Sequence, residues 1–375
     1  MTELSSSEQR LIEKVRKFAA NEIAPLAADI DQTSAIPSGI FKGMKKSGLL
    51  GLLIPKQYSG IFSSHLLYYQ VIQEIAGACA SCALTLLSHC MCSDIISQFG
   101  NDYQKQNWLP GLASGRIIGG VCMTEKQAGS DLNAVQTAAR PVENGFSITG
   151  SKQFITNGRL ADIFVVLAAT SENKNFFSKT LFVVEKSMKG VIVGRSESKM
   201  GFKGADTREM FFQDVVVPEK NLIRKTGQAM IIISKILQTS RVATAAIALG
   251  LAQKGFELAR RYSKKQTRSG KAIACFGGIQ NYLADMATET LCARLLIEHA
   301  AALQSQNKDI SKQAAMAKCF SSEMGCRVLS KALNIHGAKG YISRYEIERL
   351  LRDARLLTII EGTSEIQRQI IAKSL

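Results

Sequence analysis

In the stretch LLTIIEGTSEIQRQII, Leu356 to Ile371, a single carboxylate, Glu361, stands between an apolar run and Gly-Thr-Ser. Ser364, three residues before Gln367, predicts a capping box and a helix N-terminus whose free N–H groups face back toward Glu361. Two chemistries fit this placement. Acids are common ahead of a helix, where they meet the positive end of its dipole. A carboxylate kept among apolar residues is also a candidate general base.

Two further groups of residues carry potential chemistry. CASCALTLLSHCMC holds Cys79, Cys82, His89, Cys90 and Cys92, yet no Gly or Pro between Ala78 and Gln98 reverses the chain as zinc sites usually require. The segment therefore reads as a buried helix with small polarizable residues, not a metal site. ARRYSKKQTRSGK gathers Arg260, Arg261, Lys264, Lys265, Arg268 and Lys271. It is either a solvated helix end or a site for a phosphate-rich ligand. Without interleaved aromatics or a zinc-finger or RRM-like signature, specific nucleic-acid readout has little support.

The elements that position these groups follow from texture and length. A chain of 375 residues exceeds what one core usually organises. With 46% hydrophobic and 21% charged residues its composition is globular, and its net charge of +16 favours phosphorylated or acidic partners. No apolar run approaches the roughly 18 to 20 residues of a membrane span. The N-terminus carries acids and lacks a signal h-region, and the nine cysteines are odd in number, so reduced thiols and a cytoplasmic location are expected.

From Ser5, with a capping box to Glu8, the pattern is helical up to a turn at Leu109-Pro110-Gly111. Short β-like runs follow, among them GFSITG, KQFITNG, DIFVVLAAT, TLFVVEK, GVIVG and EMFFQDVVVP, predicting an antiparallel sandwich or barrel. The helical period returns from Gly227. The expected class is α+β in three domains: helical over residues 1–116, β over 117–226, and a helical bundle over 227–375. No Walker loop, strand-linked G-x-G-x-x-G or G-x-S-x-G elbow is present.

CMTEKQAGSDLNA, Cys122 to Ala134, resembles the first signature of the acyl-CoA dehydrogenase family, and NIHGAKGYISRYEIERLLRDARLLTIIEGTSEIQR resembles its second signature and catalytic loop. The resemblance spans essentially the whole chain. It implies FAD, a coenzyme A or acyl-carrier-protein thioester as substrate, an electron-transfer flavoprotein as acceptor, and a homotetramer or homodimer. It also assigns residues. Glu361 would take the α-proton, with its own N–H and the ribityl hydroxyl of FAD binding the thioester carbonyl. Val121, Cys122, Met123, Thr124 and Ser130 would hold the flavin, flanked by Phe154, Ile155 and Thr156. Phe276, Gly277 and Asn334, Ile335, His336, Gly337 and Ala338 would grip the adenosine half. Thr363, Ser364 and Glu365 would add FAD contacts, and Ser130, Arg241 and Gly362 would border the substrate. An apolar surround from Ile359 and Ile360 would raise the pKa of Glu361 and suit it to a C–H bond. Relatives that carry the base on a helix place it where Ser240 stands, which leaves Glu361 without a rival.

The departures are specific. Ile360 replaces the usual tyrosine before the base and Arg344 an acid; Gln266, Ser269, Gly277, Asn334 and Ala338 depart on the adenosine side. With Gln266 lacking the charge of an arginine, Arg268 is the expected pyrophosphate partner.

Overall fold

The computed structural model describes residues 4–171 and 176–375. Six helices come first: α1 (Ser6–Phe18), α2 (Ala27–Thr33), α3 (Ser38–Lys46), α4 (His65–Ala78), α5 (Ala80–Phe99) and α6 (Asp102–Ser114). The expected capping box opens α1, with Ser5 and Glu8 satisfying each other's backbone N–H groups. The predicted turn at Pro110 does not form. Pro110 lies inside α6, because Trp108, Leu109 and Leu112 are buried, and the helix runs on to Gly115, whose φ of 67° terminates it.

The middle region forms β1 (Gly119–Cys122), β2 (Ala138–Val142), β3 (Gly145–Thr156), β4 (Ile163–Ala169), β5 (Lys179–Glu185), β6 (Val191–Ser196) and β7 (Thr207–Pro218). They make one sheet in the order β1-β4-β2-β3-β7-β6, with β5 on β4. Pairing is antiparallel except where β1, and one residue pair of β2, run parallel to β4. Two of the β-like runs join as β3, which carries a bulge. Lys152 pairs with Met210 and Ile155 with Arg208, so Gln153 and Phe154 together face Glu209. That extra residue breaks the alternation: Lys152 and Ile155 point inward while Phe154, at φ 59°, is pushed out to 59% exposure.

The remaining chain is a bundle of α7 (Ala229–Lys265), α8 (Gly277–Ser305), α9 (Ser311–His336), α10 (Glu346–Leu356) and α11 (Ser364–Ala372), with a short hairpin of β8 (Thr267–Arg268) and β9 (Lys271–Ala272) between α7 and α8. Helices α5 and α7 are each long and apolar enough to cross a membrane, contrary to the expectation of no such run. Most of each apolar window is buried, 94% in α5 and 72% in α7, so both are core helices. The α5 thiols are free and buried. Both ring nitrogens of His89 are committed: Nδ1 accepts from the Gly119 N–H and Nε2 donates to the Leu50 carbonyl. Burial pulls this imidazole down to about 4, keeping it neutral.

Candidate active site

Glu361 sits in the turn between α10 and α11 at φ 56°, a left-handed backbone conformation uncommon for a residue with a side chain. Side chains from three helices hold it there. Gln367, fully buried in α11, donates its amide N–H groups to the carbonyls of Glu361 and Gly362, at 3.0 and 2.9 Å. Arg241 Nε of α7 donates to the Glu361 carbonyl at 3.3 Å, and Lys318 Nζ of α9 to that of Gly362 at 2.6 Å. Gly362, at φ 92°, has to be glycine, since a Cβ would lie 2.6 Å from Gln367 Nε2. The Glu361 carboxylate turns onto α7, where Ser240 Oγ donates to Oε2 at 2.5 Å.

Two local expectations are revised. The cap of α11 is Thr363, whose side chain accepts from the Ile366 N–H; Ser364 lies inside the helix, and Gln367 reaches the Glu361 turn instead of closing a capping box. The surround of Glu361 is also less apolar than the sequence implies. Ile359 is 53% exposed, and the groups near the carboxylate are Ser240, Arg241 and Lys318. Burial lowers the pKa of both cations, Lys318 to about 8, and Glu361 opposes that shift in each.

On the sheet, Lys152 ties the loop after β1 to β3 by donating to the Met123 carbonyl at 3.1 Å and to Glu125 Oε1 at 2.7 Å. The Gln153 N–H donates to the Thr124 carbonyl. Met123, Thr124, Phe154 and Thr156 are thereby brought together, whereas Cys122 and Ile155 are buried in the core and Ser130 is exposed. Helix α5 joins this group to Glu361: Ser88 donates to the Thr156 carbonyl, and one to two turns on, Met91 and Asp94 line a cleft shared with Leu53, Tyr68, Ile236, Thr239 and Ser240.

At the far end of the bundle Arg268, Phe276 and Gly277 are exposed around the hairpin, as are Asn334, Gly337 and Ala338 at the end of α9. Ile335 is buried. His336 stacks on Tyr262 with ring centroids 4.4 Å apart, and its Nδ1 donates to the Ala332 carbonyl. Ser269 (φ 51°) and Gly270 (φ 73°) are the two residues of a tight left-handed turn, which a bulky side chain at Ser269 would strain.

The sequence points to neither Lys318 nor Asp94, and marks Gln367 only as a capping residue. An acid within the apolar run CMCSDIISQF was the available signal for Asp94. Burial pushes Asp94 up to about 7, so its charged form costs stability. A raised carboxyl pKa stabilises the fold fully below the unfolded value near 3.8 and loses that contribution as pH rises through 7. Asp94→Asn should therefore gain stability relative to the parent between pH 5 and 8. Thermal unfolding of both proteins at the two pH values checks this; a difference independent of pH contradicts it.

An exposed aromatic ring at a bulge, on a strand that carries Thr156 and is tied to the Thr124 carbonyl by the Gln153 N–H, fits a flat, hydrogen-bonding heterocycle such as a flavin. Together with a carboxylate ahead of the last helix, this helical, sheet, helical arrangement is that of FAD-dependent oxidoreductases acting on CH–CH bonds. Profiles of the acyl-CoA dehydrogenase N-terminal, middle and C-terminal domains match residues 5–116, 120–215 and 228–375. An acyl-CoA dehydrogenase of Bacillus subtilis is 40% identical over 99% of this chain and 98% of its own length. The structure of butyryl-CoA dehydrogenase from Megasphaera elsdenii superposes with a TM-score of 0.97 at 32% identity, covering 100% of this chain and 99% of that one. The prolyl acyl carrier protein oxidase AnaB gives 0.95 at 28% identity, covering 99% of each chain. The chain belongs to the acyl-CoA dehydrogenase family.

Proposed function

We propose that Glu361 removes the α-proton of an acyl-CoA, with the β-hydrogen leaving as hydride. FAD, when bound, supplies the hydride acceptor. The observation that carries this reading is the placement of Glu361, held at a left-handed φ by Gln367, Arg241 and Lys318 through backbone carbonyls, which leaves Ser240 alone on its carboxylate among the described residues. A proton α to a thioester is weakly acidic, so its removal needs a positioned base and stabilisation of the enolate oxygen. Among the described residues no acceptor meets the Glu361 N–H, which leaves it available to the thioester carbonyl. Arg241 and Lys318 supply positive potential at the same turn. Ser240 keeps the carboxylate turned toward α7 in the resting protein. Anaerobic addition of butyryl-CoA to the FAD-loaded protein should bleach the oxidised flavin; a stable flavin spectrum contradicts the reading.

The proposed flavin contacts are Val121, Cys122, Met123, Thr124, Ser130, Phe154, Ile155 and Thr156, with Thr363, Ser364 and Glu365 beyond the base and Ser130, Arg241 and Gly362 at the substrate. Cys122 and Ile155 are buried, so they would contribute backbone groups rather than side chains. A carrier-protein thioester is the second reading, favoured by the charge of +16 and by the likeness to AnaB. Parallel assays with both thioesters separate the two. The acceptor is an electron-transfer flavoprotein. The chain assembles as a homotetramer or homodimer, supported by the exposed Tyr282, Leu291 and Leu295 of α8. Domain boundaries fall after residues 116 and 226. Use of the basic scaffold for DNA binding is disfavoured, since a binding protein has no need of a held base.

Arg268 is proposed to meet the FAD pyrophosphate. It stands directly across the hairpin from Lys271, a like-charge pair that a bound anion would relieve. Arg268→Ala should raise the FAD dissociation constant about tenfold or more, the scale of a charge-assisted hydrogen bond, and Lys264→Ala should change it little. Fluorescence titration of each apoprotein with FAD measures both. Equal small losses would reduce Arg268 to part of a solvated basic face.

A further inference from the structure

The cleft beyond Ser240 contains a group that a plain acyl chain does not need. Its walls are Leu53, Tyr68, Met91, Ile236 and Thr239, with Asp94 set among them. It borders the proposed base through Ser240, whose hydroxyl is bonded to Glu361. In this structure the cleft is pressed shut, too tight for a water molecule, so a chain enters only as a wall side chain moves aside. It is narrow, and Met91, with three rotatable bonds, is the wall best able to yield.

Asp94 is only 4% exposed. Its Oδ1 accepts from Gln98 Nε2 at 2.8 Å, one turn along the same helix. Its Oδ2 is buried without any hydrogen-bond partner among the described residues. A carboxyl oxygen buried in this way is costly, and a methionine or leucine would fill the same wall at less cost. Nothing in the packing of α5 calls for an acid here: the residue lies within the helix, away from both termini, so it caps nothing. The unmet acceptor is explained by a donor that arrives with the substrate.

We propose that Asp94 accepts a hydrogen bond from a hydroxyl or amino group carried on the acyl chain beyond its two reacting carbons, so that the cleft selects polar short-chain acyl thioesters. The assignment rests on the dehydrogenase reading above and names its substrate class. A buried group left unpaired by the wrong ligand discriminates far more strongly than an apolar wall does, so the selection should be large. Burial, by favouring the neutral acid, suits Asp94 to a hydroxyl as well as to an ammonium, since either protonation state leaves an acceptor oxygen.

The test uses FAD-loaded parent, Asp94→Leu and Asp94→Asn proteins with freshly prepared butyryl-CoA, 4-hydroxybutyryl-CoA and 4-aminobutyryl-CoA. It reads the rate of flavin bleaching and, by competition, the affinity of each thioester. The parent should favour at least one donor-bearing thioester over butyryl-CoA by at least tenfold. Asp94→Leu should reverse that order and raise the rate with butyryl-CoA. Asp94→Asn, of the same shape but without charge, keeps a hydroxyl preference and loses an amino one, which separates the two donors and serves should the leucine variant not fold. Bleaching by all three thioesters in a ratio that neither variant changes would overturn the role of Asp94 alone. No bleaching by any thioester in the FAD-loaded parent would remove the dehydrogenase reading and this assignment together.

Discussion

Glu361→Gln is expected to retain FAD and to lose turnover by several orders of magnitude. The amide is nearly isosteric with the carboxylate but cannot accept the α-proton. The strained turn should survive the change, because Gln367, Arg241 and Lys318 grip the carbonyls of Glu361 and Gly362 and not the side chain. Ser240 can still donate to the amide oxygen as it does to Oε2. Flavin absorbance of the purified variant reports cofactor retention, and stopped-flow bleaching by a good substrate reports the chemistry. Bleaching at close to the parent rate would remove Glu361 from the role.

Lys152→Met should cost about 3–5 kcal/mol of stability, the effect of breaking a buried ion pair from one side. Lys152 and Glu125 are 0% and 3% exposed at the side chain and 2.7 Å apart. Burial pushes the Glu125 carboxyl up, but Lys152, the Thr137 N–H and the Gln136 N–H outweigh it and hold the group below the usual carboxylate range. Methionine leaves that charge buried, met by the Gln136 and Thr137 N–H groups and the Gln127 amide but by no cation. Because Lys152 also donates to the Met123 carbonyl, the loop bearing Thr124 should loosen and FAD affinity should fall with stability. Urea unfolding followed by circular dichroism checks the first effect and FAD titration the second. A loss under about 1 kcal/mol would show that the pair contributes little beyond its hydrophobic isostere.

The order helices, sheet, helices is legible in the sequence because texture changes with period, from 3.6 in the flanks to short β-rich runs between them. The capping box at Ser5 was legible for the same local reason. What escaped the sequence depends on distant packing. Pro110 reads as a turn, yet burial of its neighbours carries α6 through it. GFSITG and KQFITNG read as two strands, but they form one, and the bulge that exposes Phe154 is set by its partner β7. At the site, Glu361 stands out in its own segment, whereas the groups that hold it come from residues 240, 241, 318 and 367 and meet only in the fold. Ile359, read as a wall of the pocket, lies in the turn that follows α10 and is half exposed. Asp94 shows how a helix recognised as buried still hides its function until the neighbouring cleft is seen.

Removal of the α-proton of an acyl thioester by Glu361 has a direct kinetic signature. The most direct measurement mixes FAD-loaded protein anaerobically with butyryl-CoA and with butyryl-CoA deuterated at its α-carbon, for the parent and Glu361→Gln alike. Bleaching by the parent should be slowed severalfold by α-deuteration, and the variant should bleach almost not at all. Bleaching by the variant with the same isotope effect as the parent would contradict that role for Glu361.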